Sequence, residues 1–161
     1  MVIVVMGVAG SGKTTVGRAL AASLGRPFFD ADDFHPPENI ARMRAGVPLT
    51  DADREPWLAS LCALIERADA AGEDIVLACS ALRARFRERL RAAAKDLRYV
   101  YLDAGRGVIA HRLAERTGHF MSPDLVTSQF ADLEEPDGAL GLDASRAPKE
   151  LVAEIERAIE K

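Results

Sequence analysis

Eight consecutive residues, Gly7-Val8-Ala9-Gly10-Ser11-Gly12-Lys13-Thr14, combine the residue types that a polyanion needs. The glycines let successive backbone N–H groups converge on one anion with no Cβ in the way. A helix starting near Lys13 aims its positive end at the same point. Lys13 can reach the β and γ oxygens of a triphosphate, and the Thr14 hydroxyl can ligate Mg²⁺. The spacing marks Gly7, Val8, Ala9, Gly10, Ser11, Gly12, Lys13, Thr14 and Thr15 as a nucleotide-binding loop. A chance glycine-rich turn is the alternative, but an apolar run precedes the loop and an amphipathic pattern follows it. Guanine specificity has no support: Asn39 is the only asparagine, and Ile40 follows it rather than the lysine of an Asn-Lys-x-Asp reader. The expected nucleotide is ATP with Mg²⁺.

Asp30 and Asp32 are the next residues able to do chemistry. One carboxylate can orient Mg²⁺ through water while the other accepts a hydroxyl proton. A solvated acidic turn is the plain alternative, and Asp33 suits that description best. The apolar run Ile75 to Cys79 ends in Cys79-Ser80 with no carboxylate, where a water-activating ATPase would need an acid. Arg112 and Arg116 lie just before Gly118-His119. One of them could close over the phosphates, or both could be helix charge facing water. In a loose phosphoryl-transfer transition state the nucleophile's proton leaves late, so positioning and charge neutralisation dominate. Together these residues favour transfer to a second substrate over hydrolysis.

Such residues need strand ends gathered at one edge. Val2 to Met6 is a continuous β-branched and apolar run, the mark of a strand buried on both faces. Val16, Ala19, Leu20 and Leu24 fall on one helical face that Gly25 closes. Pro27 to Asp30, Ile75 to Cys79, Arg98 to Leu102 and Ala139 to Leu142 read as further strands. Asp53 can cap a helix with Pro56 in its first turn, running through Trp57, Leu58, Leu61, Leu64, Ile65 and Ala68 to Gly72. Leu82, Phe86 and Leu90 mark a helix whose arginines at 83, 85, 87, 89 and 91 spread around it. That spacing predicts mostly solvated charge, with Arg83, nearest the strand end, the exception. Further helices are predicted around 40–44, from Val108 through Leu113 toward Gly118, over 124–133, and from Pro148 onward. The predicted fold class is α/β: a P-loop NTPase three-layer fold with a central, mostly parallel sheet flanked by helices. A helical substrate-binding segment at about 33–58 and a lid at about 116–136 belong to the same single domain, 1–161.

Bulk properties narrow the partners. The 161 residues carry a net charge of −4, with 48% apolar and 29% charged side chains. An acidic chain argues against nucleic acid and anionic membrane surfaces, which demand a basic face. No run approaches the roughly 20 apolar residues of a membrane span. The short N-terminal apolar run lacks the basic flank of a secretory signal. Cys62 and Cys79 form no disulfide framework or metal spacing, and read as two buried small hydrophobes in a reducing, cytoplasmic setting.

Several segments carry a resemblance that covers nearly the whole chain. They are His35-Pro36, Asn39-Ile40, Met43, Gly46, Pro48-Leu49, Asp51, Asp53-Arg54, Pro56-Trp57-Leu58 and Cys79-Ser80-Ala81-Leu82. Gly118-His119-Phe120-Met121, Leu125-Val126, Ser128-Gln129-Phe130 and Leu133-Glu134-Glu135-Pro136 continue them. In this set the chain resembles the bacterial-type gluconokinases, small P-loop kinases akin to shikimate and adenylate kinases. The resemblance implies transfer of the ATP γ-phosphate to the 6-hydroxyl of D-gluconate, feeding the pentose phosphate or Entner–Doudoroff pathways. It implies Asp30 and Thr14 at Mg²⁺, and Asp32 as the group that holds and deprotonates the sugar hydroxyl. It implies His35, Arg42, Arg54, Ser80, Arg83, His119 and Gln129 at the substrate, Lys13 and Arg116 in catalysis, and Arg112 at the nucleotide. A homodimer is implied as well. The chain departs from the family pattern at Ala31, between Asp30 and Asp32, where the family has glycine. It also has Arg83 in place of lysine and Phe86 in place of an aromatic hydroxyl. A bidentate arginine suits gluconate's carboxylate, though spacing does not say which arginine that is. Two rivals remain at this level: a kinase of the same fold for another acid, and a nucleotide-binding regulatory module with no phosphate transferred.

Overall fold

The computed structural model describes residues 1–115 and 123–161. Its strands are β1 (Val2–Met6), β2 (Phe28–Asp30), β3 (Ile75–Ala78), β4 (Leu97–Asp103) and β5 (Leu140–Asp143). They form one sheet in the order β2-β3-β1-β4-β5, and all four pairings are parallel. The helices are α1 (Lys13–Leu24), α2 (Pro37–Arg44), α3 (Asp51–Ala71), α4 (Ala84–Ala92), α5 (Arg106–Glu115), α6 (Pro123–Asp132) and α7 (Pro148–Ile159), with a 3₁₀ turn at Ala31–Phe34.

The side-chain alternation of β1 explains the layers. Val2, Val4 and Met6 pack with Trp57, Leu61 and Ile65 of α3 and Leu90 of α4. Ile3 and Val5 pack on the other face with Val16 and Leu20 of α1 and Leu151 and Ile155 of α7. Every residue of β1 is buried, and each large aliphatic side chain there contributes roughly 1.5–3 kcal/mol. The central strand is therefore fixed from both sides, and the loop that follows it starts from a rigid point.

Three local expectations need correction. Thr50, not Asp53, caps α3: Thr50 Oγ1 accepts from Asp53 N, and Asp53 Oδ2 accepts from Thr50 N. This is a capping box, so the helix begins at Asp51 and Pro56 lies in its second turn. Arg87 is not solvated; it is 7% exposed, and its guanidinium donates to Ala81 O and Leu82 O. Cys79 is buried as expected, but Cys62 is only half-buried. Among the described residues, no helix is long and apolar enough to cross a membrane.

Candidate active site

The loop after β1 is built by its glycines. Gly7 has φ 151°, and a Cβ there would lie 2.6 Å from Ser11 Oγ and 2.8 Å from Leu102 O. Only glycine fits that approach. Gly12, with φ 99°, is the left-handed residue that turns the chain into α1. Lys13 Nζ donates to Val8 O at 3.0 Å, across the loop it serves. Val8 and Ser11 are buried within the loop, while Ala9, Gly10, Gly12, Lys13, Thr14 and Thr15 line the cleft. A strand, a glycine loop and a helix N-terminus in this order make a nucleotide phosphate site.

β2 delivers the acids. Thr14 Oγ1 donates to Asp30 Oδ2 at 2.7 Å, and Asp30 Oδ1 accepts from Asp32 N at 3.0 Å. Asp30 thus caps the 3₁₀ turn and is held on both oxygens. The adjoining hydroxyl and carboxylate are hard oxygen donors. They suit Mg²⁺, which takes one or two protein ligands and completes its shell with phosphate oxygens and water. Among the described residues no cluster of three or more acids, histidines or cysteines could hold a metal without such help. Ala31 is buried and does not need positive φ. Its carbonyl accepts from Trp57 Nε1 at 2.7 Å, which ties the turn to α3.

Asp32 opens into the same cleft. Enclosure by protein pushes its carboxyl above the usual carboxylate value; Lys13 opposes this, and Asp30 and Asp33 add to it. Its surface is nevertheless exposed, because water reaches it through the open cleft. A substrate that displaces that water would strengthen the push.

The cleft as a whole is about 250 Å³ in volume, and beyond the phosphate loop and the acids it is polar on one wall and aromatic on another. His35 stacks on Trp57 with ring centroids 4.6 Å apart and planes within 5°. Burial, and then the charge of Arg54, push its pKa down to about 4, so the ring is neutral at physiological pH. Arg54 and Arg83 share one carboxylate: Arg54 Nη2 lies 3.0 Å from Asp132 Oδ2, and Arg83 Nη2 lies 2.7 Å from Asp132 Oδ1. Arg54 also lies over the Phe86 ring, 6.0 Å from its centroid. Phe86 is therefore a platform for an arginine, a role that needs no hydroxyl. Gln129 Oε1 of α6 accepts from Ala9 N at 2.6 Å, directly on the phosphate loop.

The structure thus gathers Lys13, Thr14, Asp30, Asp32, His35, Arg54, Ser80, Arg83 and Gln129 around one cleft. Arg42 is not among them: it is half-exposed and lies 3.5 Å from Asp53. Arg112 approaches the phosphate loop from its other side. It donates to Gly10 O at 3.1 Å, to Ser11 O at 3.0 Å and to Ala144 O. There it borders a second cleft with Thr15, Arg146 and Pro148. Arg116, His119 and the first part of the expected lid lie outside the described residues. Asp132, Asn39 and Arg146 were not singled out as functional from the sequence. Asp132 carries no local signal, since its partners Arg54 and Arg83 are remote in the chain; the partners of Arg146, Glu150 and Glu154, are local, and its place beside the second cleft is set by the fold.

A protein-family profile described as an AAA domain matches residues 2–135. A gluconokinase of Gluconobacter oxydans (strain 621H) is 48% identical, over 83% of this chain and 75% of its own length. The chain belongs to the gluconokinase family. Solved structures agree with that membership. A gluconokinase from Sinorhizobium meliloti 1021 is 44% identical with a TM-score of 0.86, covering 98% of this chain and 93% of its own. An unliganded sugar kinase from Janibacter sp. HTCC2649 reaches a TM-score of 0.93 at 42% identity, covering 99% and 94%. In this gluconokinase-family chain Ala31, Arg83 and Phe86 all fall in the cleft or its supporting shell: Trp57 binds the Ala31 carbonyl, Arg83 pairs with Asp132, and Phe86 lies against Arg54.

Proposed function

We propose that this chain transfers the γ-phosphoryl group of ATP to the 6-hydroxyl of D-gluconate, giving 6-phospho-D-gluconate and ADP, and so serves gluconate catabolism. The carrying observation is that one cleft holds Lys13 and Asp32 together with the paired arginines Arg54 and Arg83. In this reading the arginine pair receives the carboxylate of gluconate, as planar guanidinium forks suit that anion. His35, Ser80 and Gln129 pair its hydroxyls, with His119 a further candidate. Asp32 orients the reacting hydroxyl and takes its proton as the oxygen bonds to the γ-phosphorus. The bond from that phosphorus to the bridging oxygen breaks, and the charge leaves with ADP. Lys13 neutralises charge on the transferring group, and Arg116 would add to it. Thr14 and Asp30 would hold Mg²⁺, which supplies further charge neutralisation on the phosphates. The adenosine end would occupy the cleft beside Arg112, Arg146 and Pro148, which adjoins the loop at Gly12 and Thr15.

The reading also takes the chain as one domain, with a substrate segment over about 33–58 and a lid over about 116–136. It includes a homodimer, from the family likeness, and a cytoplasmic setting, which the two unpaired cysteines suit. Light scattering tests the dimer. The activity is tested by a coupled ADP-release assay across gluconate, shikimate and other sugar acids, with Asp32→Asn beside the wild type. Gluconate is expected to be the preferred acid. Asp32→Asn is expected to retain ATP affinity and lose about 10²–10⁴-fold in turnover. Turnover of another acid but not gluconate, or ATP binding with no ADP release on any acid, would overturn the proposal.

A further inference from the structure

Asn39 sits beneath the acceptor side of the cleft and is 4% exposed. Its Nδ2 donates to Asp53 O at 2.8 Å. A carbonyl can only accept, so this contact fixes which end of the amide faces α3. The same nitrogen lies 3.3 Å from His35 Nδ1, and its second hydrogen is the one available there. A protonated Nδ1 would set N–H against N–H. The bare lone pair is therefore on Nδ1, and in the neutral ring the proton is on Nε2. Trp57 covers one face of the imidazole and is itself pinned by its bond to Ala31 O. With that face stacked and Nδ1 engaged, Nε2 is the nitrogen left for the cleft that His35 lines.

We propose that Asn39 is a positioning residue: by donating to His35 Nδ1 it holds the imidazole as the Nε2–H tautomer, so that the ring presents a fixed donor to a hydroxyl oxygen of the acceptor substrate. The inference rests on the acceptor-site reading given above. The groups around the pair agree with it. Arg54 of α3 disfavours a second positive charge on the ring. The Asp53 carboxylate is engaged with Thr50 N and lies near Arg42, so it does not compete for the imidazole. Asp32, in the neighbouring turn, also lines the cleft. A ring kept neutral and single-tautomer offers the same donor across the working pH range. A hydroxyl is selected in its accepting role, and an analogue lacking that hydroxyl leaves a buried donor without a partner.

The chain has three histidines, so ¹⁵N-histidine labelling with a His35→Gln control identifies the His35 signals directly. In the wild type without substrate, Nε2 is expected to be protonated and Nδ1 bare from pH 6 to 8. Protonation at Nδ1 would overturn the proposal, and this measurement stands whatever substrate the enzyme uses. Asn39→Asp puts an acceptor where the donor was and moves the proton to Nδ1. The KM for gluconate is then expected to rise roughly tenfold with the KM for ATP unchanged, the size of one lost hydrogen bond. In a His35→Gln background, whose amide donates without a tautomer, the same change is expected to cost less than about twofold. An unchanged gluconate KM after the proton has moved, or equal losses in both backgrounds, would refute the role. If Asn39→Asp does not fold, the wild-type tautomer still decides. A failure of gluconate as substrate would remove the proposed activity and leave the tautomer result intact.

Discussion

Replacing Asp132 by asparagine tests whether the arginine pair is the anion receptor. The carboxylate bridges Arg54 and Arg83 at 3.0 and 2.7 Å, and the side chains involved are 16% (Asp132), 17% (Arg54) and 34% (Arg83) exposed. An asparagine keeps the shape and one accepting oxygen but turns an NH₂ toward the second guanidinium. A hydrogen bond to a charged group contributes about 1.5–3 kcal/mol, so losing one and weakening the other costs about 2 kcal/mol after partial solvent screening. At this chain length that corresponds to a Tm fall of about 4–8 °C. The informative step is adding ligand. If gluconate places its carboxylate on the same arginines, it replaces the missing charge, and the variant gains more from it than the wild type. Thermal denaturation with saturating gluconate, and with glucose as the uncharged control, reads this. The gap between variant and wild type is expected to narrow by about half with gluconate and to persist with glucose. No fall without ligand, or a gap that gluconate leaves unchanged or widens, refutes the assignment.

Arg87→Met removes the donor to Ala81 O and Leu82 O; Leu82 O keeps its bond from Glu134 N, but Ala81 O is left unpaired, which costs about 1–3 kcal/mol, seen as a lower denaturation midpoint. Ala81 is also held at φ 43°, so the Ser80–Arg83 turn is expected to loosen and the gluconate KM to rise while the ATP KM holds. His35 gives a pH signature. Its folded pKa, about 4, lies below its ordinary value of about 6.5. The unfolded chain therefore binds more protons between these values, and stability falls as pH drops through that window and levels off below it. Urea titrations at pH 7.5, 6 and 5 are expected to show a shallower loss in His35→Gln than in the wild type; identical slopes would mean that the imidazole is not held neutral.

Much of the frame was legible because its causes are local. The run Val2 to Met6 could only be a strand buried on both faces, and the glycines after it could only be a close-approach loop. The pairing is wholly parallel, where the reading from sequence was mostly parallel. Thr50 was legible in principle, since Thr-x-x-Asp before an apolar helix is a capping-box pattern; taken singly, an aspartate is at least as good a cap as a threonine, so the residue type of Asp53 does not distinguish the two positions. Arg87 was hidden by its neighbours. Arginines at alternate positions look like solvated charge, and only the tertiary fold turns the face bearing Phe86, Arg87 and Leu90 inward. Asp132, far in sequence from Arg54 and Arg83, has no local periodicity that could announce a bridge between them.

Helix α6 touches both halves of the cleft. Gln129 engages the phosphate loop at Ala9, and Asp132, three residues on and so on the same helical face, engages the acceptor arginines. A short helix moves as one body, so a ligand that releases either grip loosens the other. The two substrates are then thermodynamically linked through α6 as well as at the reacting atoms: whatever factor ATP gains in affinity from bound gluconate, gluconate must gain from bound ATP. The preferred order of addition becomes a property of how firmly this one element rests on each side, and a substitution at either grip would retune both affinities together.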